Sequence, residues 1–254
     1  MLTHIDLFGG IGAFSLAARN TGKISTIAYI DIDQNAQKVY KCHFPEVSVY
    51  SDIRDYRPPK GIDLFTGGFP CTGTSRAGSK TGLDHTESKL WFEYLRCIQE
   101  GQPKFAIIEN PTGLLDPNRG MGEILKGLSE SGYMCEWQTL TASIFGSPQK
   151  RERLFIIAYP HSNYRARIGA QCWGDQIGEV VERQSLCAKY PSFERGNDGS
   201  IVRFPQGLDR VPVGIPKGIR GRNEARALFG RTIDVNCATV AIKQVLYLHR
   251  VFSK

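Results

Sequence analysis

No stretch of this 254-residue chain approaches the roughly 18 consecutive apolar residues of a membrane-spanning helix. The opening residues, Met1-Leu2-Thr3-His4-Ile5-Asp6, lack a basic segment followed by an apolar core. That argues against a secretory leader and leads to the expectation of a cytoplasmic protein. There is no C-x-x-C pair and no Cys/His cluster at zinc spacing, so no metal is expected. The seven cysteines (42, 71, 97, 135, 172, 187 and 237) are odd in number and scattered, which reads as reduced thiols rather than a disulfide framework. Internal repeats and low-complexity tracts are also missing, which sets aside solenoids and long linkers.

What is present reads as a globular domain, with 41% hydrophobic and 10% aromatic residues. The net charge of +7 is unevenly placed. Residues 1–158 carry 17 basic and 17 acidic side chains, whereas 159–231 carry 12 basic and 7 acidic. A localised basic excess is the expected footprint of phosphate contacts.

Over 1–158, short apolar runs alternate with helical patterns. The runs are Thr3–Leu7, Ser25–Ile30, Val47–Tyr50, Ile62–Thr66, Phe105–Glu109, Tyr133–Leu140 and Arg153–Ala158. Helical spacing falls near 13–21, 34–44, 88–100 and 120–131, the last stopped by Ser131-Gly132. This alternation predicts an α/β fold with a doubly wound, mostly parallel sheet. The texture changes at Tyr159-Pro160. From there to about Pro216 no period is sustained, which predicts a small irregular lobe over 159–218. From about Asn223 helical spacing resumes, and Val235, Thr239, Ile242 and Val245 form a stripe expected to pack back on the first domain. The expected divisions are therefore 1–158, 159–218 and 219–254.

Several chemistry-bearing residues close strand-like runs, where a parallel sheet opens its ligand crevice. Asp6-Leu7-Phe8-Gly9-Gly10-Ile11-Gly12 follows the first strand, and Gly10 and Gly12 permit a tight turn close to a ligand. The third glycine of the dinucleotide fingerprint is absent, since Ser15 holds its place. Asp31 closes the second strand, at the distance of a ribose-binding carboxylate. Asp52-Ile53 closes the third, where an acceptor and a backbone N–H suit an adenine edge. Cys71 follows Gly67-Gly68-Phe69-Pro70, and Glu109 ends Phe105-Ala106-Ile107-Ile108. A thiol beside a carboxylic acid can add to an electron-poor ring and protonate it as it adds.

Phe8-x-Gly10-x-Gly12, Gly68-Phe69-Pro70-Cys71 with Ser75, Glu109-Asn110 and Gln149-x-Arg151-x-Arg153 occur in this order and spacing. The set resembles the DNA (cytosine-5)-methyltransferases, almost continuously over 1–158 and again around 223–245. The resemblance implies a Rossmann-like class I methyltransferase with 159–218 as its target-recognition lobe. It implies methyl transfer from S-adenosylmethionine to C5 of a cytosine flipped out of double-stranded DNA. Cys71 would add at C6, Glu109 would bind or protonate N3, Arg153 would hold O2, and Arg151 would support the loop bearing Cys71. On the cofactor side, Phe8 would stack on adenine beside the turn at Gly10 and Gly12. Asp31 would bind the ribose, and Asp52 and Ile53 the adenine edge. Ile32 would flank the base, Phe69 and Leu90 would line the pocket, and Thr232 would sit in the C-terminal cofactor element.

A monomer is expected, working beside a cognate restriction endonuclease or protecting phage DNA. Thr72-Gly73-Thr74 and Arg231 depart from the family's usual residues, which implies an altered loop and a weaker grip on the cofactor. Two alternatives remain open at this level: a tRNA cytosine methyltransferase, and a catalytically silent DNA-binding relative.

Overall fold

The apolar runs become the strands of one seven-stranded sheet. The computed structural model describes residues 1–70, 90–116, 119–147, 151–163, 173–187, 194–195, 201–203 and 232–253. The strands are β1 (Leu2–Leu7), β2 (Ile24–Ile30), β3 (Ser48–Tyr50), β4 (Leu64–Gly67), β5 (Phe105–Pro111), β6 (Tyr133–Thr141) and β7 (Glu152–Pro160). Their spatial order is β3-β2-β1-β4-β5-β7-β6. β7 alone runs against its neighbours, antiparallel to both β5 and β6. The chain winds outward from β1 to β3, then crosses back to β4 on the other side of β1. That switch opens a crevice at the strand ends, where Leu7 pairs with Gly67 in register.

Buried strands alternate their side chains between two helical layers. Ile108 and Leu154 face one layer, with Trp91, Tyr94 and Ile98 of α3 (Leu90–Gly101) and Ile124 and Leu128 of α4 (Met121–Glu130). Ile107 and Phe155 face the other, with Phe14 and Ala17 of α1 (Ala13–Asn20). The resulting layers are the doubly wound arrangement that the alternating pattern predicts. Asp33 caps α2 (Gln34–His43), its carboxylate accepting from the amides of Asn35 and Ala36.

Residues 159–218 need a correction. The absence of a sustained period predicted irregular structure there, yet α5 spans Trp173–Cys187. Trp173 and Val180 are buried in the same cluster as Phe14 and Phe155, with Ile177 and Val181 against them. The helix rests on α6 (Val235–Phe252), where Lys243 pairs with Glu179. Its apolar positions are sparse because only one narrow stripe touches the core, so Gly, Gln and Glu fill the rest. A two-stranded antiparallel ladder joins β8 (Glu194–Arg195) and β9 (Ile201–Arg203). Along α6, Val240, Ile242, Val245 and Leu248 are buried in that cluster, while Val235 and Thr239 of the sequence stripe are half-buried.

Candidate active site

Glu109 lies at the end of β5, 7% exposed, with its carboxylate facing the segment that leads to Cys71. A Cβ added at Gly68 would fall 2.5 Å from Glu109 Oε2. Glycine at 68 is therefore what admits the carboxylate beside the backbone. From the neighbouring strand, Arg153 Nε donates to Glu109 Oε1 at 3.0 Å. Arg153 can do so because β7 runs backwards: its first residues lie beside the last residues of β5, with Pro111 opposite Arg153 and Glu109 opposite Phe155.

Burial raises the Glu109 carboxyl to about 6, against the opposing pull of Arg153 and Arg151. Burial likewise pushes the Arg151 guanidinium below its usual range, and Arg153 adds to this, while Glu109 and Asp234 oppose it. Asp234, the cap of α6, thereby draws the C-terminal segment into the electrostatics of the site. Arg151 holds a positive φ of 21°. Left-handed backbone at a non-glycine costs about 1–3 kcal/mol and clusters at functional sites. Cys71 and Gln149 lie outside the described residues, as does Arg231.

The cofactor end is built around the turn after β1. Gly12 sits at φ 91° as the N-cap of α1 and, lacking a side chain, cannot cap it. Asp6 does so from β1: its Oδ2 accepts from Ser15 N at 3.2 Å and from Ser15 Oγ at 2.6 Å. The helix N-terminus is thus already matched to a carboxylate. Dinucleotide folds keep that position for a pyrophosphate, so this arrangement fits a cofactor without one. Asp31 Oδ2 accepts from Gly10 N at 2.8 Å, and Tyr29 donates to Gly10 O at 2.6 Å. Phe8, at φ 54°, stacks against Tyr94 with centroids 6.4 Å apart.

The other expected cofactor residues divide by environment. Ile32 is 67% exposed beside Asp31, with its side chain open to solvent. Phe69 is buried against Trp91 at 5.7 Å, and Leu90 begins α3 beside the same cluster. Asp52 is held in a fork by Arg54 Nε and Nη2, so an adenine amino group would have to share it. Ile53 is buried, its carbonyl accepting from Arg96 Nη2 at 2.6 Å. Thr232 is half-buried just before Asp234. A surface cleft of about 380 Å³ lies between Tyr50, Asp52, Tyr56 and Arg57. It shares only Asp52 with the crevice set and contains none of the glycine turn. Sequence reasoning missed Asp6, Tyr29 and Tyr40 as parts of this site. The one signal was Ser15, standing where a glycine would leave the helix end open.

The strand order, the single reversed strand and a glycine turn without a phosphate cradle define a class I, S-adenosylmethionine-dependent methyltransferase fold. A family model for C-5 cytosine-specific DNA methylases matches residues 2–185, and the chain belongs to that family. It is 38% identical over 157 residues to the type II methyltransferase M.CviJI of Paramecium bursaria Chlorella virus IL3A, covering 61% of this chain and 42% of that protein. It is 37% identical over 169 residues to M.HpaII of Haemophilus parainfluenzae, covering 63% and 46%. The chain thus spans less than half the length of these relatives. Among solved structures, the Entamoeba histolytica methyltransferase EhMeth superposes with a TM-score of 0.53 at 18% identity, covering 63% of this chain and 53% of that one. A DNMT2 variant of Spodoptera frugiperda gives 0.50 at 20%, covering 63% and 50%. These two likenesses concern the fold alone. No helix among the described residues is long and apolar enough to cross a membrane. No group of three or more metal-ligating side chains occurs among them.

Proposed function

We propose that this protein methylates C5 of cytosine in double-stranded DNA, with S-adenosylmethionine as the methyl donor. The observation that carries the reading is Glu109: a buried carboxylic acid raised to about 6, clamped by Arg153, beside the backbone that leads to Pro70-Cys71.

Carbon 5 of cytosine is a weak nucleophile. Addition of the Cys71 thiolate at C6 forms a C–S bond and moves the ring electrons toward N3, where Glu109 delivers a proton. C5 then has enamine character and can be methylated. Removal of the C5 proton re-forms the ring double bond and expels the thiolate. An acid of pKa about 6 suits the N3 step, because it holds a proton in an appreciable fraction of molecules near neutrality. Arg153 holds Glu109 and would hold the base through O2, while Arg151 would support the loop bearing Cys71. The target must leave the duplex stack, since C6 is covered inside B-DNA.

S-adenosylmethionine, when bound, supplies an electrophilic methyl group. Phe8, Gly10, Gly12, Asp31, Ile32, Asp52, Ile53, Phe69, Leu90 and Thr232 would hold it, and the crevice suits it because Asp6 occupies the position a phosphate would need. The lobe over 159–218, within the stretch of basic excess, is the proposed DNA-recognition region. Relatives include type II enzymes and an orphan methyltransferase of Bacillus phage SPR. A role in restriction-modification or in phage DNA protection follows as part of the proposal, with the protein acting as a monomer in the cytoplasm.

The test is label transfer from radiolabelled S-adenosylmethionine to mixed-sequence duplex DNA, beside Cys71→Ser and a tRNA acceptor. Label at cytosine C5 of DNA that is lost in Cys71→Ser supports the reading. Label on tRNA alone transfers the reaction to RNA, and label on neither acceptor refutes catalysis.

A further inference from the structure

Beneath the glycine turn, six polar side chains cross the sheet in an otherwise apolar core. Thr26 Oγ1 lies 2.8 Å from His4 Nδ1, and His4 Nε2 lies 2.7 Å from Thr66 Oγ1. Thr66 Oγ1 donates to Asp6 Oδ1 at 3.0 Å. On the other side, Ser15 donates to Asp6 Oδ2 through both N and Oγ, and Ser15 Oγ lies 2.9 Å from Tyr40 OH. His4, Asp6, Ser15 and Thr66 are fully buried. With Asp6 ionised, counting protons fixes the direction of every bond. Thr66 has one hydroxyl proton, and it goes to Asp6. His4 Nε2 must therefore donate to Thr66, and His4 Nδ1 must accept from Thr26. Ser15 spends its proton on Asp6, so Tyr40 donates to Ser15. Every donor points toward Asp6.

The same chain reaches the cofactor turn. Tyr40 stacks on Tyr29 at 3.8 Å, and Tyr29 holds the Gly10 carbonyl, whose amide is tied to Asp31. We propose that Asp6 is a positioning residue for the S-adenosylmethionine turn: its ionised carboxylate orders a directional relay from Thr26 to Tyr40, and only in that state is the turn set for the cofactor. This rests on the reading of the crevice as an S-adenosylmethionine site. Protonated Asp6 must itself donate a hydrogen bond, so one of its three donors loses its acceptor. If the carboxyl donates to Thr66, the relay reverses: Thr66 donates to His4 Nε2, and Nδ1 takes the proton and donates to Thr26.

The groups facing Asp6 are His4 on its own strand, Tyr29 of β2 and Asp31 just past its end, Tyr40 from α2 and Tyr94 from α3. Burial keeps His4 neutral, pushing it down to about 3, and keeps the three tyrosines protonated. The charge of Asp31 also acts on Asp6, and its sign opposes ionisation. Burial raises Asp6 to about 6 against the pull of its Ser15 and Thr66 donors.

The experiment is calorimetric binding of S-adenosylmethionine and S-adenosylhomocysteine to the full chain between pH 5 and 8. The wild type, Asp6→Asn and Ser15→Ala are compared, with the His4 tautomer read by imidazole ¹⁵N shifts assigned against His4→Gln. With about a tenth of Asp6 ionised at pH 5, the apparent Kd should rise about tenfold from its pH 7.5 value. His4 should carry its proton on Nε2 at pH 7.5 and on Nδ1 at pH 5. Asp6→Asn should bind weakly at all pH values with the Nδ1–H tautomer throughout. Ser15→Ala, which removes a donor to the carboxylate and the link to Tyr40, should move the midpoint of the His4 tautomer change to higher pH and weaken binding at every pH. If Asp6→Asn does not fold, the Ser15→Ala midpoint and the wild-type tautomer change decide the matter alone. A wild-type affinity that is flat with pH, the same pH dependence in Asp6→Asn, or an unchanged His4 tautomer overturns the proposal. Absence of binding at every pH refutes instead the reading of the crevice as an S-adenosylmethionine site.

Discussion

Replacing Gly68 with alanine should disable the site through a single methyl group. The added Cβ would lie 2.5 Å from Glu109 Oε2 and 3.3 Å from the Glu109 carbonyl oxygen. Gly68 is not among the positive-φ glycines, so alanine is permitted by the backbone and the conflict is purely steric. Ordinary contact begins near 3.4 Å, so the carboxylate must retreat by about 0.9 Å. It cannot retreat freely, because Arg153 Nε holds Oε1 at 3.0 Å. A comparable stretch of that bond weakens a charge-assisted contact worth about 1.5–3 kcal/mol, equivalent to roughly 10- to 150-fold in rate. Misplacement of a reacting group by about 1 Å costs about 100-fold in well-positioned sites. The expected result is a fall of about 100-fold in kcat/KM for methyl transfer to duplex DNA. S-adenosylmethionine affinity should fall by less than the rate does, since the three atoms nearest the added Cβ all belong to Glu109. Steady-state methylation and calorimetry on the same preparation measure both. Adding Glu109→Asp, which shortens the side chain by one methylene, should cost less in the Gly68→Ala background than in the wild type. Wild-type turnover in Gly68→Ala, or loss of cofactor binding equal to the loss of rate, would refute the packing argument.

Arg153→Met should leave Glu109 buried without its closest cation, drive its carboxyl further above 6, and reduce methylation by at least about 100-fold; a pH–rate profile reads both effects. Glu109 also sets a stability trend. Its folded-state pKa, about 6, exceeds the 4.5 of an ordinary glutamate. The stability it contributes is therefore complete below pH 4.5 and lost as pH rises through 6, by roughly 2 kcal/mol. Urea unfolding of the wild type and Glu109→Gln at pH 4.5 and 7.5 should show the variant gaining relative stability at the higher pH. Gly12→Ala meets both φ 91° and a Tyr40 ring carbon 2.8 Å away, so it should destabilise by about 2 kcal/mol or more and abolish cofactor binding, as thermal melts with and without cofactor would show. Lys243→Ala removes a partly exposed ion pair between α5 and α6 and should shift unfolding by less than about 1 kcal/mol.

The strands were legible because a sheet covered on both faces writes its members as apolar runs, such as Phe105-Ala106-Ile107-Ile108. Direction was not legible. Leu154–Ala158 reads equally well either way, and only the partner register makes β7 antiparallel. Asp31, Glu109 and Arg153 stood out because each ends or begins such a run. Asp6 did not, since a carboxylate before a glycine turn looks like an ordinary polar approach to a loop. Its role depends on Ser15, nine residues away around the turn, and on Thr66, sixty residues away on a neighbouring strand. The helix at Trp173–Cys187 was hidden for a different reason: its buried face is too narrow to dominate the composition of its segment.

The reversed strand has a consequence for how such a protein can change over time. A wholly parallel sheet lends its crevice only the ends of strands, so each added function needs another crossover. Here β7 contributes its beginning, and the clamp between Glu109 and Arg153 is complete before the chain leaves the sheet at Pro160. From Asn163 until Thr232 the polypeptide carries none of the residues in that clamp. On the proposed function, the residues between α5 and α6 could be lengthened, shortened or exchanged as a cassette without touching that clamp. On that function, selection could thus revise what the protein reads without renegotiating the chemistry of the clamp.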